Sequence, residues 1–392
     1  MMLASIPKIR KAFKLWLIVS LVAISLAFGS CQTSSSVSTI RIGLIVSLSG
    51  DIPEVGQATI NAAQMAMESV NAAGGLPVNG RQQKIELIIN DSPDNPQGAV
   101  ASAQKLINQE NVAVIVGPQA SRNAIPAAEV AEATQIPLIS PWSTNPKTTL
   151  GKRYVFRVPF TDPAAAQAMA KLARVDLEVQ KAAILYDVTQ PHNTTSAEVF
   201  QQAFESLGGQ IVANEVYTPD TADLKPLLQK IQANQPQVLY LPNYANEIPL
   251  QASLVRELGI DATLLGTDAW ATIAASELSE SLEGSLFTSH YAPDILATEA
   301  QDFVEHYDEQ YGEIPNDVAA LTYDAFGLLF KAISTQQKSD PEAIREGLAA
   351  IEGYRGVTGT IGYQQGGDPI KSIVIMKVQD GQFKFERLAD PT

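Results

Sequence analysis

From Thr39 onward, short apolar runs alternate with amphipathic helical segments, and this rhythm restricts the chain to an α/β architecture. "IRIGLIV" (40–46) is a continuous apolar run of the kind a strand shows when both of its faces are covered. "TINAAQMAMESVNAAGG" follows with helical spacing and a glycine stop at Gly74-Gly75. "KIELIIND", "QGAVASAQKLINQE", "VAVIVGP", "IPAAEVAEATQ" and "IPLISP" continue the alternation. Repetition at this spacing means parallel strands joined by right-handed crossovers, with helices on both faces. Every strand's C-terminal end then lies along one edge.

A second alternating set begins after "YVFRVPF" (154–160) and runs from "AAILYD" to "TLLGTDAW". Its rhythm mirrors the first, so two similar α/β lobes are expected, as suits 392 residues. From "GSLFTSHYAP" (284–293) the chain changes partner again, and two helical stretches follow. The C-terminal "SIVIMKVQDGQFKFERL" reads as a hairpin turning at Asp380-Gly381.

The first 30 residues have a separate task. Lys8, Arg10, Lys11 and Lys14 precede the apolar run Leu15 to Phe28, which is too short to span a bilayer and matches the core of a signal peptide. Gly29 and Ser30 lead to Cys31, the only cysteine, which cannot form an intrachain disulfide. "SLAFGSC" resembles a bacterial lipobox, with Phe28 where that pattern prefers leucine. A signal peptide over 1–30 and a lipid-anchor tether over 31–39 are therefore expected, with lipidation at Cys31. Beyond residue 40 no apolar run is expected to span a membrane, so attachment is through the lipid alone. The net charge of −15 excludes nucleic acid as a partner, because that binding depends on basic patches.

Ligands of open parallel sheets sit outside the carboxyl ends of the strands. In the first set these ends carry "SLSGDIPEVG" (47–56), "GPQAS" (117–121) and "SPWST" (140–144). In the second they carry "YDVTQPHN" (186–193), "PNYANE" (242–247) and "GTDAW" (266–270). Hydroxyls, aromatics and glycines dominate, and full charges are few. Catalytic signals are absent: His192, His290 and His306 have no metal-ligand spacing, and there is no nucleophile elbow or phosphate loop. No enzyme, metal or cofactor is expected.

The landmarks "IGLIVSLSGDIPEVGQ", "NAAGGLPVNGRQ", "INDSPDNPQGAV", "VIVGPQAS", "IPLISPWST" and "GYRGVTGTIGYQQGGDP" occur in the order and spacing of one family. The chain resembles the type I periplasmic binding proteins, in their amino-acid (leucine/isoleucine/valine-type) branch that serves ABC importers. The resemblance implies two Rossmann-like lobes with parallel sheets joined by three hinge crossings, with residues 40–158 and 290–365 in lobe 1 and 159–289 and 366–392 in lobe 2. It implies a monomer outside the cytoplasm, partnered by a permease and its ATPase subunits. It also implies roles. Ser121, Ser143 and Thr144 hold the ligand's α-carboxylate, the backbone at Trp142 takes the ammonium, Asp268 completes the ammonium site, and Tyr244 reaches in from the second lobe. Two departures redraw the side-chain pocket: Val55 replaces a tyrosine, and Pro191-His192 replaces a Tyr-Gly pair. His192, Trp142 and Trp270 then become pocket residues.

The residues support this reading on physical grounds. A zwitterion leaving water needs each charge paired or richly hydrogen-bonded. Hydroxyls near a helix N-terminus suit a carboxylate, and one buried carboxylate on the opposite lobe suits an ammonium. An isolated Ser-Thr pair can equally cap the next helix, and Asp268 can equally be a solvated turn residue. A neutral or hydrophobic amino acid is the expected ligand. The rivals are an amide, urea or small aromatic acid on the same fold, and a ligand-sensing module.

Overall fold

The computed structural model describes residues 39–364 and 366–389. The signal-peptide and Cys31 expectations lie outside the described residues.

The first sheet takes its strands from the first alternating set. The chain runs through β1 (Ile40–Val46), α1 (Pro53–Ala72) and a small hairpin, β2 (Leu76–Val78) and β3 (Arg81–Gln83). It continues through β4 (Ile85–Asp91), α2 (Pro96–Asn108), β5 (Val114–Val116), α3 (Ser121–Thr134), β6 (Leu138–Ser140) and β7 (Val155–Arg157). The strand order is β4-β1-β5-β6-β7 and every pairing is parallel. Ile42, Leu44, Ile45 and Val46 are buried on both faces of the interior strand β1, because helices cover both. Each such side chain contributes about 1.5–3 kcal/mol relative to exposure.

The second sheet follows through α4 (Asp162–Lys171), β8 (Lys181–Asp187), α5 (Pro191–Ser206), β9 (Gln210–Tyr217), α6 (Lys225–Ala233), β10 (Val238–Tyr240), α7 (Ile248–Glu257), β11 (Thr263–Gly266) and β12 (Leu286–Ser289). The chain then returns to the first lobe with α8 (Thr298–Tyr311), α9 (Asp317–Gln336), α10 (Pro341–Ala349) and the hairpin β13 (Tyr354–Gly356) and β14 (Gly359–Ile361). It crosses a third time to add β15 (Ile373–Gln379) and β16 (Gln382–Ala389) to the second sheet, whose order is β16-β15-β12-β11-β10-β8-β9. Only β15 runs against the others there, antiparallel to both β12 and β16, and it turns into β16 at Asp380-Gly381, both at positive φ as a two-residue hairpin requires.

Two helices depart from the sequence reading. The Ala-rich α4 has no broad apolar stripe in sequence, and α10 spans only nine residues with Ala343, Ile344, Gly347 and Leu348 on its buried face, yet both pack into the lobes. The helix α9 is long and apolar enough to cross a membrane by length and composition, contrary to the expectation that no run beyond residue 40 is. Two-thirds of its apolar window is buried in the first lobe, where it packs against α1 as a core helix. Asn316 caps its start, accepting from Ala319 N at 3.0 Å.

Candidate ligand-binding site

Each sheet reverses its strand order once: between β1 and β5 in the first, between β8 and β10 in the second. Loops leaving such strands open a crevice at the sheet edge. The loop after β5 leads into Ser121, the loop after β8 into His192, and the loop after β10 carries Tyr244. With the loops after β6 and β11 they surround a cavity lined by Gln119, Ser121, Trp142, Thr144, His192, Tyr244 and Asp268, with Ala120 and Ala269 between. Its free volume is only about 10 Å³, close to what one water needs.

On the first lobe, Ser121 opens α3, whose N-cap, Ala120, has no side chain to bond the first N–H groups. Gly117 permits the approach, because its φ is +91° and a Cβ there would stand 2.4 Å from Ile45 O. The neighbouring loop is held by Arg157, fully buried at the end of β7. Its guanidinium donates to Ser143 O at 2.9 Å, Asn145 O at 2.8 Å and Thr149 Oγ1 at 2.7 Å, while Nε pairs with Asp368 at 2.7 Å. The fork of five donors suits this set of acceptors in a way an ammonium could not.

Ser143 therefore has a different place from the one its sequence implied. Its Oγ bonds Ser121 Oγ at 2.9 Å and Thr148 Oγ1 at 2.7 Å, behind the cavity wall. Ser121 and Thr144 are the hydroxyls at the cavity itself.

On the second lobe, His192 bridges three groups. Its Nδ1 is 2.7 Å from Asp162 Oδ1 and 3.0 Å from Thr144 Oγ1, and Nε2 is 3.1 Å from Thr267 Oγ1. Burial favours the neutral ring, but the Asp162 carboxylate and the more distant Asp268 outweigh it and raise the pKa to about 9. The imidazolium thus donates toward Asp162 and Thr267. Thr144 shares the Nδ1 proton as an acceptor, which leaves its own hydroxyl proton for a ligand.

Asp268 is buried, and its Oδ1 has no partner. Its Oδ2 lies 3.3 Å from His290 Nε2, which is not aligned as a hydrogen bond. Burial drives His290 down to about 4, so it is neutral at pH 7. Burial opposes ionisation of Asp268, yet the polar Nε2 edge of His290 beside it and the charge on His192 outweigh it and hold the carboxyl below its usual range. The cavity therefore has an ionised carboxylate on one lobe and hydroxyl donors on the other.

The lobes meet across this cavity. Besides the Thr144–His192 contact, Asn145 Nδ2 donates to Pro191 O and Thr195 Oγ1, both at 2.9 Å. Arg122 pairs with Asp94 at 2.5 Å and lies 5.1 Å from the Tyr244 ring centroid, so its charge is already committed. Glu247 accepts from Tyr217 at 2.9 Å instead of lining the cavity. Trp270 is also elsewhere. Gly266 leaves a space that its ring fills, Nε1 donates to Leu241 O at 3.1 Å, and the indole belongs to the second lobe's core.

The family model described as periplasmic binding protein matches residues 39–382. The chain belongs to the periplasmic binding protein family. Its two sheets and three crossings are the type I periplasmic binding protein fold. Among solved periplasmic binding proteins, it superimposes on a leucine binding protein from Thermotoga maritima with a TM-score of 0.84 and 30% identity, covering 90% of this chain and 99% of that one. The branched-chain amino acid transporter substrate binding protein of Streptococcus pneumoniae, solved with isoleucine, gives 0.83 and 26%, covering 90% and 100%. By sequence, it is 26% identical to the leucine-, isoleucine-, valine-, threonine- and alanine-binding protein of Pseudomonas aeruginosa, over 87% of this chain and 90% of that one.

Three residues around this binding protein's cleft escaped the sequence reading: Arg157, Asp162 and His290. His290 follows directly on β12, so a search of strand ends could have found it. The others carry no local signal, since each acts through a group brought near by the fold.

Proposed function

We propose that this protein captures an amino acid as its zwitterion between the two lobes and delivers it to an ABC permease. The observation that carries this reading is the unpartnered Asp268 Oδ1 on a cavity whose other lobe presents Ser121, Thr144 and the uncapped start of α3. A buried anion with an open oxygen calls for a cation, and an uncapped helix start calls for an anion. Trp142, Tyr244, Ala120 and Ala269 supply apolar walls, and the one other charge there, His192, is paired with Asp162. An uncharged, largely apolar side chain fits best, in keeping with the ligands named for the relatives. The lobes comprise residues 40–158 with 290–365 and 159–289 with 366–392. The protein acts as a monomer outside the cytoplasmic membrane, tethered by lipid at Cys31.

Calorimetry with a panel of amino acids tests the head-group assignment. Asp268→Ala removes one partner of a buried charge pair, so affinity falls roughly 30-fold to several thousand-fold. Ser121→Ala removes one hydrogen bond to a charged group and costs roughly tenfold to a hundredfold. A ligand lacking the α-amino group binds the wild type poorly and discriminates little in Asp268→Ala. If the deaminated ligand binds the wild type as well as the amino acid does, the site belongs to a small acid or amide instead.

A further inference from the structure

Strands β11 and β12 are parallel neighbours, with Gly266 paired to Phe287, so the loops that leave them run side by side. That register sets His290, directly after β12, against Asp268, just after β11. The ring's Nε2 stands 3.3 Å from Asp268 Oδ2, so it addresses one carboxylate oxygen and leaves the other, Oδ1, unpartnered. A stack holds the imidazole in place. Its centroid lies 3.7 Å from that of Phe160, which sits on the crossing between β7 and α4. His290 itself is buried at the start of the second crossing.

The charge on this ring matters, because an imidazolium would neutralise Asp268 and leave little charge for a ligand. Burial keeps the ring neutral, with a pKa of about 4, and the Lys371 and His192 charges add to burial against the pull of Asp268. Lys371 stands on the third crossing, where it donates to Thr358 Oγ1 at 2.6 Å. A neutral imidazole beside a carboxylate turns a hydrogen toward it and not a lone pair, so Nε2 carries the proton and Nδ1 is bare. The other titratable groups around Asp268 are His192, already paired with Asp162, and Asp317, Tyr240 and Tyr244. Burial raises each of these last three, and the Asp268 charge adds to it.

We propose, on the amino-acid reading of the cleft, that His290 is the positioning residue of the ammonium site: its Nε2 edge holds Asp268 Oδ2 so that Oδ1 meets the ligand's ammonium. An uncharged donor steadies the carboxylate without cancelling it, whereas a cation in the same place would do both. The carboxylate's charge is thereby kept for the ligand. Because Phe160 and His290 lie on different crossings, the ring that orients Asp268 is anchored where the lobes join.

Calorimetry with L-leucine and with 4-methylpentanoate, its counterpart without the ammonium, tests this on the purified protein. The wild type prefers leucine. His290→Phe keeps a ring on Phe160 but no N–H, so this preference falls about tenfold or more while 4-methylpentanoate affinity stays within about twofold. His290→Gln, whose amide N–H reaches the place of Nε2, keeps more of the preference than His290→Phe does. On the acid side, leucine binding by His290→Phe is lost at a higher pH than in the wild type, because Asp268 no longer has the neighbour that favours its ionised form. Should the variants fold poorly, nitrogen NMR of the three histidine rings in the wild type decides. His290 is neutral at pH 7 with its hydrogen on Nε2, and an imidazolium there overturns the proposal. An unchanged preference in His290→Phe, or equal losses in both variants, assigns the ring to packing and overturns it too. If the wild type binds leucine no better than 4-methylpentanoate, the amino-acid reading itself falls and this proposal with it.

Discussion

Thr144 Oγ1 and His192 Nδ1 stand 3.0 Å apart and join the two lobes at the wall of the ligand cavity, while Asp162 Oδ1 lies 2.7 Å from the same ring nitrogen. The contact links closure of the cleft to one proton. His192 is raised above its unfolded value to about 9, so its contribution is fully present below about pH 6.5 and is lost as pH rises through about 9. Stability on the order of 3 kcal/mol is expected to disappear over that window. Urea unfolding of the wild type and His192→Gln should show a difference that shrinks between pH 6.5 and 9.5. A difference that stays flat across that range would mean that His192 is neutral in the folded protein.

Arg157 holds the loop from beneath. Arg157→Met strands the Ser143 and Asn145 carbonyls and the Asp368 carboxylate, and should destabilise the protein by about 3–5 kcal/mol. Arg157→Lys restores a charge but cannot reach three acceptors at once, so it recovers only part of the loss. Denaturant midpoints of the three proteins give the ordering. Equal stability of Arg157→Lys and wild type would show that the fork geometry is unimportant.

The closed cleft has room for about one water, so an amino acid can enter only when the lobes part. Small-angle scattering should record a larger radius of gyration without ligand than with saturating ligand. A constant radius with a ligand proven to bind tightly would rule out hinge closure.

Cys31→Ser should move the protein from the membrane fraction to the soluble fraction and leave ligand affinity unchanged. A lipid tether at Cys31 would act by raising local concentration at the membrane, without touching the cleft. Unchanged fractionation would remove the lipid anchor from the account.

The strand-and-helix plan was legible because β1 and β5 are apolar on both faces, which only a doubly covered parallel sheet requires. The same logic brought Ser121, Trp142, Thr144, His192, Tyr244 and Asp268 to one cavity, since each follows a strand end. It failed for Trp270, because the direction of a side chain after a strand depends on the space around it. Here that space is the gap above Gly266. It also failed for Ser143, whose hydroxyl is taken by its neighbours. Arg157 with Asp368, and His192 with Asp162, are partnerships across 211 and 30 residues. No periodicity records such pairs.

The three crossings also have a consequence for the order in which the chain is made. The last strand of the first sheet ends at Arg157, but α9, which completes that sheet's core, begins at Asp317. At common synthesis rates the intervening stretch of about 160 residues takes roughly 8–32 s to emerge. Throughout that interval the nascent first sheet lacks the helix that buries its apolar face, while β8 to β12 of the second are already being extruded. Neither half can mature before most of the chain exists. A polypeptide arranged in this way stays extended and threadable until late, which is the condition that passage through a narrow translocation pore requires.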